Sequence, residues 1–195
     1  MNFETLKSNL EKNGFTVSHF ATGKEAAEYL NGKIDGKSVG IGGSVTIDQM
    51  GLDQMLGTHN KVVWHQKGGS RREAATTDVY LLSANGVAET GEIINIDGTG
   101  NRLASALFGH EEVYYVIGSN KVAEDFDKAL WRARNIAAPK NAQRLGRKTP
   151  CAKNGDKCYN CSSPERICRA LNVIWKAPGG AKYSEVIIVD EPLGY

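Results

Sequence analysis

The sequence predicts an α/β fold in which a mostly parallel, mixed sheet is covered by helices. Segments with helical periodicity alternate with short extended segments, as in the βαβ units that build parallel sheets. Some extended segments are continuously apolar, for example Val79 to Leu82, and such runs are typical of strands buried on both faces. The chain has 195 residues, of which 41% are hydrophobic. We therefore expect a single domain spanning residues 1–195 with a substantial core.

Helices and strands alternate in the first third of the chain. Leu6 and Leu10 lie one helical turn apart and predict a helix that ends at Gly14. Alternating apolar and polar residues from Phe15 to Phe20 then predict a strand. The elements expected next are a helix at 24–30, a strand at 38–41, a helix around 47–55 and a strand at 61–64.

The middle of the chain predicts a hairpin. Asn85-Gly86 is a strong two-residue turn signal, because both positions of a type I′ turn require positive φ, and we expect it to join strands at 78–84 and 87–96. Pro139 is expected to break the longest helix. The remaining predicted elements are a helix at 103–107, a strand at 112–117, that long helix at about 122–137, and strands at 172–177 and 184–190.

The charge balance is close to neutral, with 24 basic and 22 acidic residues and a net charge of +2. It carries no signature of nucleic-acid or membrane binding, and the basic stretch from Arg132 to Arg147 is interpreted as a solvated helix face. No segment approaches the roughly 18 apolar residues that span a bilayer. Met1 to Leu10 is too charged for a secretory signal. We therefore expect a soluble, cytoplasmic protein without nucleic-acid or membrane partners.

The four cysteines of the chain are confined to one short segment near its C-terminal end. They are Cys151, Cys158, Cys161 and Cys168. Cytoplasmic thiols stay reduced, so clustered cysteines in such a protein favour a metal or redox role over structural disulfides. The middle pair forms a Cys-x-x-Cys motif, whose two sulfurs can converge on one inorganic centre. We expect all four cysteines to bind one metal centre.

A [4Fe–4S] cluster is the favoured centre. Such a cluster accepts scattered cysteines around one Cys-x-x-Cys, whereas structural zinc more often uses two close pairs, of which this chain has one. Zinc, a redox-active dithiol and four unrelated buried cysteines remain alternatives. Ser162 or Ser163 as N-cap, followed by Pro164, predicts a helix after Cys161 that includes Cys168. The positive end of that helix would favour an anionic centre.

Three glycine-rich turns, at 40–44, 98–101 and 118–120, each follow a predicted strand and precede a helix. Ligands of open α/β sheets bind at the carboxyl ends of strands, where glycines let backbone amides approach an anion. Such turns also serve purely structural purposes, and none of the three is a P-loop or a dinucleotide fingerprint. We nevertheless expect a pocket for a small anionic ligand. The candidate binding residues are Gly42, Gly43, Ser44, Thr77, Asp78, Asn85, Thr99, Gly100, Asn101 and Asn120.

Glu89 is the candidate catalytic residue. Its neighbours in the predicted return strand are apolar or small, and a carboxylate held among them can act as a base or a nucleophile. A solvent-facing strand residue is the alternative interpretation. The four histidines show no paired spacing, and we interpret them as ordinary surface or capping residues.

The run from Thr76 to Arg102 resembles the LUD-domain family of lactate-utilisation proteins, and so do Gly42-Gly43-Ser44 and the turn from Gly118 to Lys121. The resemblance covers nearly the whole chain. It implies a fold like that of the NagB, ribose-5-phosphate isomerase and CoA-transferase group, whose glycine-rich loops hold anionic ligands. It also implies a link to the oxidation of lactate to pyruvate, often within an iron–sulfur complex. In the related CoA transferases the nucleophile is a glutamate.

Three functions are compatible with these observations. The first is an iron–sulfur electron-transfer or oxidoreductase component that serves lactate or a similar small hydroxy acid together with redox partner proteins. The second is a small-anion-binding or transferase- or isomerase-like enzyme with structural zinc. The third is a regulatory or assembly subunit without an active site. A homo-oligomer is compatible with each of them.

Overall fold

The structure, a computed structural model, describes residues 2–195. Its strands form two sheets, one of six strands and one of four. The strands are β1 (Thr16–Phe20), β2 (Ser38–Ile41), β3 (Lys61–Trp64), β4 (Val79–Leu82), β5 (Gly86–Ala88), β6 (Ile93–Asp97), β7 (Glu112–Gly118), β8 (Val122–Ala123), β9 (Ala170–Ile174) and β10 (Tyr183–Val189).

Helices connect most of these strands, and several begin at capping side chains that accept a hydrogen bond from the first turn, such as Thr22 and Asp125. The helices are α1 (Phe3–Lys12), α2 (Gly23–Lys33), α3 (Val45–Gln49), α4 (Leu52–Leu56), α5 (Arg71–Ala74), α6 (Asn101–Leu107), α7 (Phe126–Arg132), α8 (Ala138–Arg144) and α9 (Pro150–Asn154).

The six-stranded sheet has the order β1-β10-β7-β4-β2-β3, and every neighbouring pair in it is parallel. The smaller sheet has the order β8-β5-β6-β9; β5 is parallel to β8, and the other two pairs are antiparallel. Because all six strands of the large sheet run the same way, their carboxyl ends meet along one edge. The predicted fold class, a mostly parallel mixed sheet covered by helices, is confirmed.

Apolar side chains cover both faces of the large sheet. One face packs Leu81 and Val116 against residues of α2 to α4. The other face packs Leu82 and Ile188 against α1 and part of the smaller sheet. Full burial of one such side chain contributes roughly 1.5–3 kcal/mol, so these two layers fix the sheet firmly and hold its carboxyl edge in place.

A buried carboxylate lies in β10. Glu185 is fully buried, and its oxygens accept hydrogen bonds from Lys33 Nζ at 2.7 Å and from the Tyr29 hydroxyl at 2.9 Å. Burial alone would raise the pKa of Glu185, but these donors, together with Ser18 and Tyr183, outweigh it and hold the pKa below its usual value. Glu185 therefore forms an ion pair with Lys33, and its buried carboxylate has its hydrogen-bonding partners.

The predicted hairpin at Asn85-Gly86 is wrong. β4 and β5 belong to different sheets, and Asn160 is the one non-glycine residue among 2–195 with positive φ. The actual hairpin joins β5 to β6 through a turn at Gly91, where φ is +105°. Gly86 is instead required by packing, because a Cβ atom there would lie 2.5 Å from the carbonyl oxygen of Ala129 in α7.

Pro139 does not break the long helix as predicted. α7 continues through a π-helical turn, Ala133–Ala137, directly into α8, so one helix runs from residue 126 to residue 144. Proline normally disrupts a helix because it lacks an N–H and collides with the carbonyl four residues earlier. That carbonyl belongs to Asn135, inside the π-helical turn, and the wider turn changes the local pairing.

The helix predicted after Cys161 is also absent, since residues 162–169 form turns and irregular backbone. A short helix, α9, forms earlier in the segment. Thr149 caps it by accepting the Ala152 N–H at 3.3 Å, and Pro150 occupies its first turn. Cys151 therefore lies in this helix, and the other three cysteines lie in the loop that follows.

Candidate functional site

A cleft of about 370 Å³ opens at the carboxyl edge of the large sheet. The turn after β2 contributes Gly43 to its wall, the turn after β4 contributes Asn85, and residues 65 and 66 after β3 complete this side. The turn between β6 and α6 faces them across the cleft. Five of the predicted binding residues line this cleft or the recess that adjoins it: Gly43, Ser44, Asn85, Thr99 and Asn101.

The cleft is rich in positive charge. Its acidic lining residue is Asp97, which also forms an ion pair with Arg102 at 3.4 Å. The basic side chains that line the cleft or its recess are Arg71, Arg102, Lys121, Arg144 and Arg147, with His65 beside them. Burial, and then the charge of Arg71, lower the pKa of His65. A small anion is the ligand that such a lining favours.

The turn after β6 is held rigidly. Asp97 Oδ1 accepts hydrogen bonds from the backbone N–H groups of Thr99 at 2.7 Å and Gly100 at 2.9 Å. Arg102 donates to the Asn85 side-chain oxygen at 2.9 Å and to the Ile96 carbonyl at 2.6 Å. These bonds connect the turn after β6 to the turn after β4, so one wall of the cleft is pre-organised.

An inner recess of about 50 Å³ adjoins the cleft and ends at Lys121. Lys121 follows β7 and is only 4% exposed. Its Nζ donates to the hydroxyls of Thr46 and Ser83, each at 2.8 Å. Burial, and then the nearby guanidinium groups of Arg132 and Arg102, lower the pKa of Lys121 to about 7.

Five other predicted site residues lie outside both spaces. Gly42 packs against the side chains of Tyr80 and Arg102, while Gly100 forms the left-handed cap that begins α6. Thr77 and Asp78 precede β4 and therefore lie at the amino end of the sheet, where Asp78 accepts from Ser38 and Thr77 bonds to the Val79 carbonyl. Asn120 uses its side chain to bind the backbone of Leu193 and Gly194.

Glu89 lies at the end of β5, beside α1. Its carboxylate accepts the backbone N–H of Asn2 at 2.6 Å, and its carbonyl accepts from the Asn9 side chain at 2.7 Å. A carboxylate at this position stabilises α1, because it lies at the positive N-terminal end of that helix. The structure thus places Glu89 in the attachment of α1 and not in the cleft.

The four cysteines line a single small cavity between α8, α9 and the loop after α9. None is in a disulfide, and each is half-buried. Cys151 Sγ lies 3.3 Å from the Thr149 hydroxyl, and the backbone N–H of Asn160 points to Cys158 Sγ at 3.4 Å. The segment therefore brings together all four of the sulfur-bearing residues that its sequence predicts to act as one site.

Two arginines supply positive charge to the cysteine cavity. Arg166 donates to Cys168 Sγ at 3.2 Å and to the Cys161 carbonyl at 2.8 Å, and Arg134 reaches Cys158 Sγ at 3.9 Å. The hydrogen bond to Cys168, with the charges of the nearby thiolates, raises the pKa of Arg166. A guanidinium group in this position stabilises thiolates, which are the metal-binding form of cysteine.

The cysteine side chains surround the cavity without converging on one point. Within residues 2–195 no group of three or more Cys, His, Asp or Glu side chains lies close enough to hold a single metal ion. Four sulfurs on one zinc ion would each lie about 2.3 Å from it. A cubane cluster instead binds each sulfur through a separate iron atom and so holds the sulfurs farther apart.

The cysteine cavity and the basic cleft share a wall. Ala138 of α8 and Ile167 of the cysteine loop line both spaces. The two spaces are therefore adjacent. The long helix contributes to both, with Asn141 and Arg144 toward the cleft and Arg134 toward the sulfurs.

The family model of the LUD domain matches residues 3–189. The chain belongs to the LUD-domain family. This family is associated with lactate utilisation, and the resemblance predicted from residues 76–102 and the glycine-rich turns is confirmed. No curated protein matches the chain.

A solved LUD-type structure gives the same architecture. The chain is similar to the crystal structure of a DUF162 family protein from Deinococcus radiodurans, with 13% sequence identity. The two superimpose with a TM-score of 0.57 over 96% of this chain and 95% of that one. At this identity the similarity shows the shared fold alone. None of the helices described between residues 2 and 195 has the length and apolar character needed to cross a membrane.

Several cleft residues are absent from the sequence prediction. Lys121 directly follows the predicted Asn120, and Ser83 directly follows β4. Both could have been predicted, because ligands of such sheets bind at the carboxyl ends of the strands. The stretch from Arg132 to Arg147 is not only a solvated face. Arg132 is 7% exposed and donates to the Asn85 and Asn120 carbonyls, and Arg144 lines the cleft.

Proposed function

We propose that this LUD-domain protein is an iron–sulfur electron-transfer component that binds lactate or a similar small hydroxy acid in its basic cleft. Cys151, Cys158, Cys161 and Cys168 would hold a [4Fe–4S] cluster, which supplies one-electron redox chemistry when bound. The shared wall of Ala138 and Ile167 supports this proposal, because a ligand bound in the cleft would lie beside the cysteines. Partner proteins of a redox complex would donate or accept the remaining electrons.

The donor set fits such a cluster. The four thiols are free, half-buried and arranged around one cavity, and Arg166 and Arg134 offset part of the negative charge that four thiolates bring. The sequence spacing favours a cluster over a single zinc ion, because one Cys-x-x-Cys pair with two scattered cysteines is typical of a cluster, whereas structural zinc more often uses two close pairs. The four cysteines would bind and orient the centre, and the two arginines would offset part of its charge.

Elemental analysis of protein purified without oxygen tests this proposal. We expect about four iron and four sulfide per chain, with a broad visible absorption that fades on reduction. Equimolar zinc with no iron would support the alternative, a small-anion-binding enzyme with a structural metal site. A chain that binds neither metal in oxygen-free preparations would contradict both assignments.

Gly43→Asp tests the ligand-binding part of the proposal. A Cβ atom added at Gly43 would lie 3.5 Å from the His65 ring, an ordinary contact. The fold should therefore tolerate the change, which places a carboxylate in the cleft. Repulsion between like charges about 4 Å apart costs roughly 1–4 kcal/mol. We therefore expect lactate and pyruvate to bind at least about tenfold more weakly, as measured by calorimetry.

Gly43→Asn is the matched control, because asparagine has nearly the same size as aspartate and no charge. It should retain most of the affinity for both acids. Equal affinities in the two variants would mean that the charge of the cleft does not select the ligand, and a wild-type protein that binds neither acid would contradict the proposed ligand class.

A further inference from the structure

Lys121 has a buried amino group without an acidic partner. Its Nζ bonds to two neutral hydroxyls, those of Thr46 and Ser83, and no carboxylate lies within ion-pair distance of it in the described part of the chain. Buried charges in proteins are normally paired, because an unpaired one is costly to remove from water. The third N–H of its ammonium group is left for another acceptor.

The groups that face Lys121 increase the need for a negative charge. Arg102 of α6 and Arg132 of α7 both disfavour its charged form, and Arg144 of α8 lines the same recess. Asp97 lines the adjoining cleft rather than this recess, and its carboxylate is engaged by Arg102. Tyr80 has its pKa raised to about 12 by burial, so its hydroxyl stays neutral and supplies no counter-charge.

The recess itself limits what can reach Lys121. Its volume of about 50 Å³ admits a group of only a few atoms, and it opens into the cleft past Ser44 and Asn85. Gly194 lies beside Lys121, since a Cβ atom there would lie 3.1 Å from its Nζ, and the next residue, Tyr195, lines the recess. A carboxylate at the end of a small molecule fits this space, and a larger anionic polymer does not.

We propose that Lys121 is the innermost ligand-binding group of the cleft, and that the carboxylate of the bound acid supplies the counter-charge that the protein lacks. This inference rests on the proposed function, because it concerns the same small acid. It assigns one end of that acid: the carboxylate lies in the recess, and the hydroxyl-bearing carbon lies outward in the cleft.

Binding should therefore take up a proton. Below pH 7 the free amine is already protonated, whereas above pH 7 it is largely neutral and becomes charged only when the anion binds. Calorimetry with pyruvate and with lactate in buffers of different ionisation enthalpy measures this uptake. We expect close to one proton per ligand at pH 8 and close to none at pH 6, with affinity falling about tenfold per pH unit above 7.

Two variants identify the group that titrates. Lys121→Met keeps the length of the side chain and should abolish proton uptake at pH 8, with affinity at least about tenfold lower at pH 6. His65→Asn replaces the imidazole of the cleft, whose pKa is lowered by burial, and should leave the uptake at pH 8 in place. If Lys121→Met does not fold, the proton uptake of the wild type at pH 6 and pH 8 still tests whether a group with this pKa takes up the proton.

The outcomes separate this inference from the proposed function. Carboxylate binding without proton uptake, or with the same uptake in Lys121→Met, overturns the role of Lys121 and leaves the proposed ligand standing. Inorganic phosphate could instead bind more tightly than either acid, with proton uptake that depends on Lys121. That result would support anion binding in the recess and overturn the carboxylate as its ligand. Binding of neither carboxylate nor phosphate overturns both.

Discussion

Cys158→Ser is expected to eliminate the iron–sulfur centre. Cys158 belongs to the Cys-x-x-Cys pair and lies between Arg134 and the Asn160 N–H, so its loss removes one of four thiolates from the middle of the site. A serine hydroxyl is a much poorer ligand for iron than a thiolate. We expect the iron content to fall from about four atoms per chain to less than about one, with loss of the visible absorption.

Ser162→Ala is the control for this experiment, because Ser162 is an exposed residue of the same loop and changes neither the sulfurs nor their hydrogen bonds. It should retain the iron, the sulfide and the spectrum of the wild type. A Cys158→Ser protein that keeps its full complement of iron would show that the four cysteines do not act together.

Gly86→Ala is expected to cause a large loss of stability from a single added methyl group. The new Cβ atom would lie 2.5 Å from the Ala129 carbonyl oxygen and 3.2 Å from its carbon, and both atoms belong to the backbone of α7. The helix would have to move, since a backbone carbonyl cannot rotate away as a side chain does. Overpacking of this kind costs about 2–3 kcal/mol, which urea unfolding would measure as a lower midpoint with an unchanged slope.

Gly32→Ala provides the matched comparison for the same chemical change. Gly32 lies in α2 with no atom within 4 Å of the added Cβ, so the substitution should stabilise the protein by about 0.5–1 kcal/mol. Opposite signs for the two variants are the expected result. A neutral Gly86→Ala would mean that α7 does not pack against β5 as closely as described.

The large sheet was predictable because its strands carry their own signal. Val79 to Leu82 is continuously apolar, and the structure buries all four of these residues in the fourth strand of the sheet order. The turn at Gly43 and Ser44 was predictable for a related reason, because the chain must leave the carboxyl edge there to begin a helix. In both cases local sequence and tertiary structure impose the same requirement.

The errors arise where distant contacts decide the conformation. Asn85-Gly86 has the composition of a tight turn, but Gly86 accommodates a helix that begins 40 residues later, and the Asn85 side chain binds the backbone of Ile96. Pro139 is tolerated because the π-helical turn before it changes the hydrogen bonding. Neither arrangement can be deduced from the few residues around it.

The candidate sites divide in the same way. The cysteine cavity could be predicted because its ligands are neighbours in sequence. The cleft is assembled from strand ends and from a helix, so a residue such as Arg144 joins it only through the fold. Thr77 and Asp78 were also assigned to it, but they precede β4 and lie at the opposite end of the sheet.

The helix that runs from residue 126 to residue 144 has a thermodynamic consequence. Its first turns are anchored on the smaller sheet through Ala129 and Ala133, while its later turns form a wall of both the cleft and the cysteine cavity. If a ligand in the cleft or a centre in the cysteine cavity displaced this helix, the displacement would reach the other space. The two affinities would then be coupled, and each occupant would change the affinity of the other by the same factor.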